Sequence, residues 1–400
     1  PLTVSWPRLC GGGADDRGTV TMWFVEWIFW GSLGFVFYAY AGYLLLLVVL
    51  SFFRNRPVLL GDIQPMVSFI ITAYNEESRI KEKIDNSLSQ QYPKERLEIV
   101  VASDCSSDKT DEIVRSYACS GVRLIRAAER RGKEAAQKLA VSQTSGEVLV
   151  FSDVATTLPP EGIANIVKAF HDPTVGCVSS VDRFVDAQGN LSGEGAYVKY
   201  EMLLRQLETK VNTLVGLSGS FFAARRVVCS PWADDLQSDF NTLLNSMRVG
   251  LRGISDPNSV GYYKNLSDEK KEYQRKVRTV LRGIAVLMRS LPMLNPFRYG
   301  MFAWQLFSHK LCRWLVPFAM IGACLSNIVL ATQSMFYGTL LLAQLLFYAT
   351  AAAYAGFQWM PKSSMFRLPS FFVLVNLSIL DAWLRYFRGD RVFRWEPSKR

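Results

Sequence analysis

The chain has 400 residues, half of them hydrophobic, and its 45 basic against 35 acidic residues give a formal net charge of +10. The hydrophobic residues concentrate in long uncharged stretches, which excludes a purely soluble globular protein. Because His171 and His309 are the two histidines of the sequence, catalysis built on a histidine base is not expected. The seven cysteines show no paired metal-type spacing, and a reducing compartment explains them without disulfides.

Two stretches carry no charged residue, residues 27–53 and residues 314–361. A membrane-spanning helix needs about 20 apolar residues, so we expect one transmembrane helix over residues 23–53 and two within residues 314–361. A third C-terminal hydrophobic segment, residues 366–387, is expected either to span the membrane or to lie in its interface, because an aspartate interrupts its apolar run. Residues 1–22, which include three consecutive glycines, are expected to form a disordered N-terminal extension.

Basic residues gather at the ends of these hydrophobic segments. Arg54 and Arg56 follow the first segment, and Lys310 and Arg313 precede the second. Cytoplasmic loops of membrane proteins carry an excess of lysine and arginine, so this placement predicts a multi-pass protein of the inner (plasma) membrane with a cytoplasmic polar region. The excess of basic residues therefore indicates membrane lipid, and not nucleic acid, as the partner.

Residues 283–310 are apolar but are interrupted by arginines and prolines. This composition is typical of amphipathic helices that lie in the membrane interface. The chain closes with a basic tail, residues 388–400, which favours a cytoplasmic C-terminus.

Between the hydrophobic segments, short apolar runs alternate with helical patterns. The runs at residues 65–73, 97–102, 122–125 and 147–153 have the composition of buried strands. Strands that alternate with helices predict βαβ units and a parallel sheet with right-handed crossovers. The expected fold class is α/β, with a Rossmann-like cytoplasmic domain flanked by transmembrane helices.

Carboxylates stand where these predicted strands end. Asp104 and Asp153 each follow a strand, and Glu76 follows the first strand at the same edge of the sheet. Ligands of open α/β sheets bind outside the carboxyl ends of the strands. A nucleoside diphosphate suits such an edge, because helix N-termini and Lys133 favour phosphates and a metal ion would offset the carboxylate charge.

Seven motifs in a fixed order give this chain a recognisable pattern. They are TAYNEE at residues 72–77, SDCSSDKT at 103–110, RGK at 131–133, FSD at 151–153, GLSGSFFAARR at 216–226, SDF at 238–240 and RKVRT at 275–279. With this set, residues 65–282 resemble the catalytic domain of the membrane-bound family 2 glycosyltransferases. The resemblance implies a GT-A fold, and the flanking hydrophobic segments match the layout of the polysaccharide synthases in that family.

The resemblance also implies roles for single residues. The residues expected to contact the nucleotide sugar are Ala73, Tyr74, Glu76, Asp104, Lys133, Asp153 and Gly219. Asp239 matches the catalytic base that would deprotonate the acceptor hydroxyl. Arg275 and Arg278 fall on the family's acceptor motif and would lie near the acceptor and the leaving diphosphate.

Two departures from the family pattern change these expectations. Ala155 replaces the second acidic residue of the family's Asp-x-Asp motif, so Mg²⁺ or Mn²⁺ is expected to be held weakly, by Asp153, donor phosphates and water. Arg275 and Thr279 replace the glutamine and tryptophan of the acceptor motif, which weakens the case for processive synthesis.

Simpler roles compete with several of these assignments. Asp104 and Asp108 could form ordinary turns and caps, Lys133 could be a solvated residue at a helix start, and Asp239 could cap the helix that follows it. The basic run at residues 270–282 could face anionic lipid headgroups.

The resulting functional hypothesis is an inverting glycosyltransferase that moves a sugar from a nucleotide-sugar donor, expected to be a UDP-sugar, to a polysaccharide or lipid-linked acceptor. The alternatives are a polyprenyl-phosphate sugar transferase and a catalytically inactive, glycosyltransferase-like membrane scaffold. Ala155 favours the scaffold, whereas Asp153 together with Asp239 argues for an enzyme.

Overall fold

The structure is a computed structural model that describes residues 16–185, 196–264, 269–356 and 364–390. The chain divides into two compact units, the first formed by residues 1–42 and 312–380 and the second by residues 43–311 and 381–400. Of the segments at the two ends of the chain, residues 1–15 and residues 391–400 lie outside the described part. Residues 16–22, which we expected to be disordered, belong to a helix that begins at Asp16.

Seven strands and fourteen α-helices make up the described part of the chain. The strands are β1 Val67–Ala73, β2 Leu97–Ser103, β3 Val122–Arg126, β4 Val148–Asp153, β5 Val175–Val185, β6 Phe221–Arg225 and β7 Arg252–Lys264. The first helices are α1 Asp16–Phe37, α2 Tyr43–Phe53, α3 Ile80–Leu88, α4 Thr110–Ser116, α5 Lys133–Ser142, α6 Gly162–Lys168 and α7 Ala196–Val211. The remaining helices are α8 Ser238–Arg248, α9 Glu269–Arg289, α10 Pro296–Tyr299, α11 Met301–Leu306, α12 Arg313–Ala331, α13 Met335–Gly356 and α14 Ser364–Phe387.

The seven strands form one sheet in the second unit, in the order β3-β2-β1-β4-β6-β5-β7. The predicted α/β class is confirmed, and β3, β2, β1 and β4 are parallel as expected. The expectation of a fully parallel sheet is wrong, because β6 runs antiparallel to both β4 and β5. Phe221 at the start of β6 pairs with Ser152 near the end of β4, so the chain enters β6 from the edge at which β4 ends.

The core of the sheet follows from its sequence pattern. All seven residues of β1 are buried, as are the last five of β2 and the first five of β4. Strands covered by helices on both faces have nearly continuous apolar runs, which is the pattern of these segments. Each large aliphatic or aromatic side chain buried here contributes about 1.5–3 kcal/mol.

The register of the parallel strands brings their carboxyl ends to one edge. Thr72 pairs with Asp153 on one side and with Ala102 on the other, and Ala73 pairs with Ser103. The backbone N–H of Asp104 donates to the carbonyl oxygen of Ala73 over 2.9 Å. The segments that follow β1, β2 and β4 therefore emerge within one residue of each other, as the sequence predicted.

The first unit consists of apolar helices. Helix α1 packs against α12, and Phe29, Ala323 and Leu330 form a buried cluster within this unit. Several large side chains of α13 are exposed, including Phe336, Leu342 and Leu346.

The described part of the chain has four helices that are long and apolar enough to cross a membrane: Met22–Phe53, Met301–Ala331, Met335–Gly356 and Phe366–Phe387. The second of these starts at Met301, inside the segment 283–310 that we expected to lie in the interface. The segment 366–387, for which spanning and interfacial placements were both open, has the length and composition of a span.

Candidate active site

The end of β4 carries the first pair of interacting charges. The Lys133 ammonium, at the start of α5, donates to Asp153 Oδ1 over 2.5 Å and to the carbonyl oxygen of Gly219 over 2.9 Å. Lys133 is buried, whereas the Asp153 side chain is 26% exposed. Lys133 is therefore not the solvated helix-start lysine of the simpler interpretation, and it links the end of β4 to the loop that precedes β6.

Gly219 brings this pair close to the predicted base. A Cβ atom built on Gly219 would lie 2.6 Å from Asp239 Oδ2, so a larger residue cannot occupy this position without displacing the carboxylate. The structure thus gathers Lys133, Asp153, Gly219 and Asp239 at one edge of the sheet. These four residues were predicted separately, from four different motifs.

The Asp239 carboxylate is held in a defined position. It lies in the first turn of α8, accepts from the backbone N–H of Phe240 over 2.7 Å and from Gln237 Nε2 over 3.1 Å, and is 9% exposed. Burial raises the pKa of Asp239, while the positive charges of Lys133 and Arg282 act in the opposite direction. A buried carboxylate with a raised pKa has a greater affinity for a proton, which suits a general base.

Asp104 organises the turn that carries Lys133. Its fully buried carboxylate accepts from the backbone N–H of Arg131 over 2.9 Å and from that of Gly132 over 2.9 and 3.0 Å. Gly132 has a φ of +107°, a conformation that favours glycine. Burial raises the pKa of Asp104, and the two backbone donors oppose that effect. Asp104 is thus a long-range anchor, and Asp108 likewise accepts from the N–H of Glu77, 31 residues away, over 3.1 Å as well as from the nearby N–H of Thr110 over 3.0 Å.

The segment after β1 forms the neighbouring wall of the site. Glu76 is 2% exposed and pairs with Arg79 over 2.5 Å; burial raises its pKa and the Arg79 charge opposes this. The Arg130 guanidinium lies 3.9 Å from the centroid of the Tyr74 ring. Ala73, the last residue of β1, is fully buried and contributes backbone to this wall. The cation–π contact holds Tyr74 and Arg130 together beside the end of β1, so an aromatic ring and a guanidinium are both present in this wall.

Arg275 and Arg278 lie on α9, and both are partly buried. Arg282 follows at the spacing i, i+3, i+7 and therefore shares their helix face. It forms an ion pair with Glu134, the residue after Lys133, and its charge acts on Asp239. Arg282 is not among the site residues predicted from the sequence, although its spacing from the other two arginines was a usable signal.

The residues present supply one metal ligand of the expected kind. Asp153 offers a carboxylate at the end of β4, but one of its oxygens is bonded to Lys133, and Ala155 offers none. Within the described ranges, no three His, Cys, Asp or Glu side chains are grouped so that they could hold a metal ion. A divalent cation fits here only if donor phosphates and water complete its coordination.

Comparisons with known proteins agree with this geometry. The family model described as glycosyl transferase family 2 matches residues 68–230. The glycosyltransferase AglE of Haloferax volcanii is 36% identical over 91 residues, which are 22% of this chain and 30% of that protein. The poly-beta-1,6-N-acetyl-D-glucosamine synthase of Staphylococcus aureus is 25% identical over 208 residues, or 50% of this chain and 49% of that protein. The chain thus matches less than half of the length of these curated relatives.

A solved structure extends the likeness to most of the chain. It is a mannosyltransferase from Pyrobaculum calidifontis in complex with GDP-Man and Mn²⁺, 23% identical, with a TM-score of 0.70 over 92% of this chain and 100% of that one. At 23% identity, this likeness is evidence for the fold of the chain and not for its activity. Together with the seven-stranded mixed sheet and the matched motifs, it confirms the fold and the resemblance predicted from the sequence: residues 68–230 form a glycosyl transferase family 2 domain within a GT-A fold.

Proposed function

We propose that this chain transfers a sugar from a nucleotide-sugar donor to a saccharide or lipid-linked acceptor, with inversion at the anomeric carbon. The observation that carries the proposal is the meeting of Lys133, Asp153 and Asp239 around Gly219. In-line displacement needs a base on one side of the reacting carbon and charge stabilisation of the leaving group on the other. Buried Asp239 and cationic Lys133 supply these two functions from the first turns of α8 and α5.

The donor would lie along the carboxyl edge of the sheet. Its nucleoside would bind between Tyr74, Glu76 and the turn that Asp104 holds, and its diphosphate would face Lys133. Asp239 would accept the proton of the acceptor hydroxyl as that oxygen attacks the anomeric carbon. The bond from that carbon to the diphosphate breaks, and the nucleoside diphosphate leaves with the electron pair, its charge stabilised by the Lys133 ammonium.

Asp153 would hold Mg²⁺ or Mn²⁺ weakly, through one carboxylate oxygen. A bound cation supplies further neutralisation of charge on the diphosphate. The archaeal mannosyltransferase was solved with Mn²⁺. The support for a cation in this chain is the exposed part of the Asp153 carboxylate at the strand end, and Ala155 explains why the affinity would be low.

The names of the relatives give more support to the proposed acceptor than to the proposed donor. The name of the staphylococcal relative is that of a synthase of a polysaccharide, which supports a saccharide acceptor. A UDP-sugar remains our proposed donor, although the archaeal neighbour holds GDP-Man. The test therefore has to include donors of both nucleotides.

The four apolar helices support a multi-pass membrane protein. Because Arg54 and Arg56 follow the first of these helices, we place the glycosyltransferase domain on the cytoplasmic face of the inner (plasma) membrane.

Membranes containing the full chain, incubated with a panel of radiolabelled UDP- and GDP-sugars, test the proposal. We expect label from one donor to enter polymer or a saccharide-bearing lipid, and to fail to do so with Asp239→Asn. Label that enters only a lipid whose sugar is released by mild acid would favour the polyprenyl-phosphate sugar transferase. Binding of a nucleotide sugar without transfer to any acceptor or to water would contradict an enzyme and favour the scaffold.

A further inference from the structure

Lys83 is a buried cation that the proposed mechanism does not use. It lies on α3, on the face that also buries Ile80, Ile84 and Ser87, and its exposure is 2%. Lysine is almost never fully buried unless it is paired, because removing an ammonium from water is costly. A lysine at a core-facing helix position therefore requires a compensating environment.

That environment is the turn that follows β4. Lys83 Nζ donates to Ser152 Oγ over 2.8 Å and to the carbonyl oxygen of Thr156 over 2.5 Å. Ser152 Oγ in turn donates to the carbonyl oxygen of Asp153 over 3.1 Å. The ring of Phe69 lies below the ammonium, with its centroid 5.3 Å away. Lys83 thus holds both ends of the segment that presents Asp153.

Two effects act on the pKa of Lys83 in opposite directions. Burial lowers the pKa of Lys83 to about 7, and the negative charge of Asp153 acts in the opposite direction. Asp153 is itself paired with Lys133, and the Glu76 carboxylate lies within electrostatic range of Asp153. Ala155 stands where the family pattern has a second carboxylate. The turn therefore contacts the buried Lys83 ammonium and carries one carboxylate, that of Asp153.

We propose that Lys83 is a positioning residue for the donor: its ammonium fixes the turn at residues 152–156 and supplies a second positive charge behind the donor diphosphate. The inference rests on the proposed function, since it requires a nucleoside diphosphate at Asp153. Lys133 would contact the diphosphate directly, whereas Lys83 would act on it through the turn at residues 152–156. Lys133 and Lys83 would then together offset the charge of the diphosphate at a turn that carries Asp153 but has Ala155 two residues later.

A diphosphate that binds in front of Lys83 favours its protonated form. Since the pKa of Lys83 in the free protein is lowered to about 7, binding above pH 7 should therefore take up a proton. By linkage, the affinity should fall as the pH rises above 7, by at most about tenfold per pH unit where a full proton is linked. The nucleotide itself does not obscure this above pH 7, because its last phosphate ionisation lies near 6.

Calorimetry on the purified full chain at pH 8 tests the inference, with UDP and GDP titrated in buffers of different ionisation enthalpy. We expect the wild type to take up close to one proton on binding its preferred diphosphate. Lys83→Met should abolish this uptake and lower diphosphate affinity at pH 7 about tenfold or more, while leaving weak binding of the free nucleoside unchanged. Lys81→Met is the matched control, because Lys81 lies on the same helix with its side chain 69% exposed.

The wild-type measurement keeps the inference testable if Lys83→Met does not fold. Diphosphate binding by the wild type without proton uptake would overturn the inference and leave the proposed function intact. Equal proton uptake by Lys83→Met would also overturn it, since another group would then bind the proton. Failure of the wild type to bind any nucleoside diphosphate would instead overturn the proposed donor site itself, and the inference with it.

Discussion

Replacing Asp239 with asparagine separates chemistry from structure at the proposed site. The amide has nearly the same shape, and its oxygen can still accept from the backbone N–H of Phe240, which is 2.7 Å from the carboxylate. It cannot accept a proton from an acceptor hydroxyl. A general base typically contributes 10²–10⁴-fold to a rate, so we expect transfer to fall by at least about 100-fold, or about 2.7 kcal/mol in activation free energy.

Stability should change in the opposite direction. Because burial raises the pKa of Asp239, the folded state favours the protonated form. That contribution to stability is present below the unfolded-state pKa and is lost as the pH rises through the folded-state pKa. At pH 7 the ionised carboxylate is therefore less favourable than a neutral amide, and Asp239→Asn should melt at the wild-type temperature or above it. As the pH is lowered, the wild-type rate of sugar transfer should begin to fall at a higher pH than it would if the base had the pKa of an ordinary aspartate.

The assay compares sugar transfer, donor-diphosphate affinity by calorimetry and thermal unfolding on the same preparations. Asp235→Asn is the control, since Asp235 lies in the segment just before α8 with its side chain 43% exposed and should change none of the three. Undiminished transfer by Asp239→Asn would remove this residue from the mechanism. A large loss of both stability and donor affinity would show that Asp239 is structural and not the base.

Three further predictions concern donor binding, metal dependence and topology. Asp104→Ala leaves the N–H groups of Arg131 and Gly132 without their acceptor, at about 1–3 kcal/mol for the buried N–H of Gly132, so donor affinity and melting temperature should both fall; calorimetry showing unchanged affinity would contradict this. Transfer should stop in excess chelator and return with millimolar Mg²⁺ or Mn²⁺, and full activity in chelator would remove Asp153 as a metal contact. A reporter fused after residue 400 should be active only on the cytoplasmic side of the membrane, and activity on the outer side would refute the proposed orientation.

Much of the site could be predicted because its residues lie in short local motifs. Asp153 and Asp104 each follow an apolar run, and the ends of parallel strands must meet at one edge of a sheet. Arg275 and Arg278 were assigned from the motif RKVRT, and the structure places both of them on α9. By contrast, Lys83 was overlooked, because in a helix pattern a lysine beside Ile80 and Ile84 looks like an interruption of the apolar face.

The sequence by itself determined the α/β class, the alternation of strands and helices, the hydrophobic segments and the motifs that match glycosyl transferase family 2. These depend on periodicity and local order, which a linear chain displays directly. The tertiary structure alone decided that β6 runs antiparallel, that the Lys133 ammonium bonds to Asp153, and that Gly219 lets the backbone approach Asp239. Each of these depends on contacts between segments 20 to 90 residues apart, whose geometry is fixed only when the sheet closes its core. For the same reason, the burial that shifts the pKa values of Lys83 and Asp239 exists only in the folded chain.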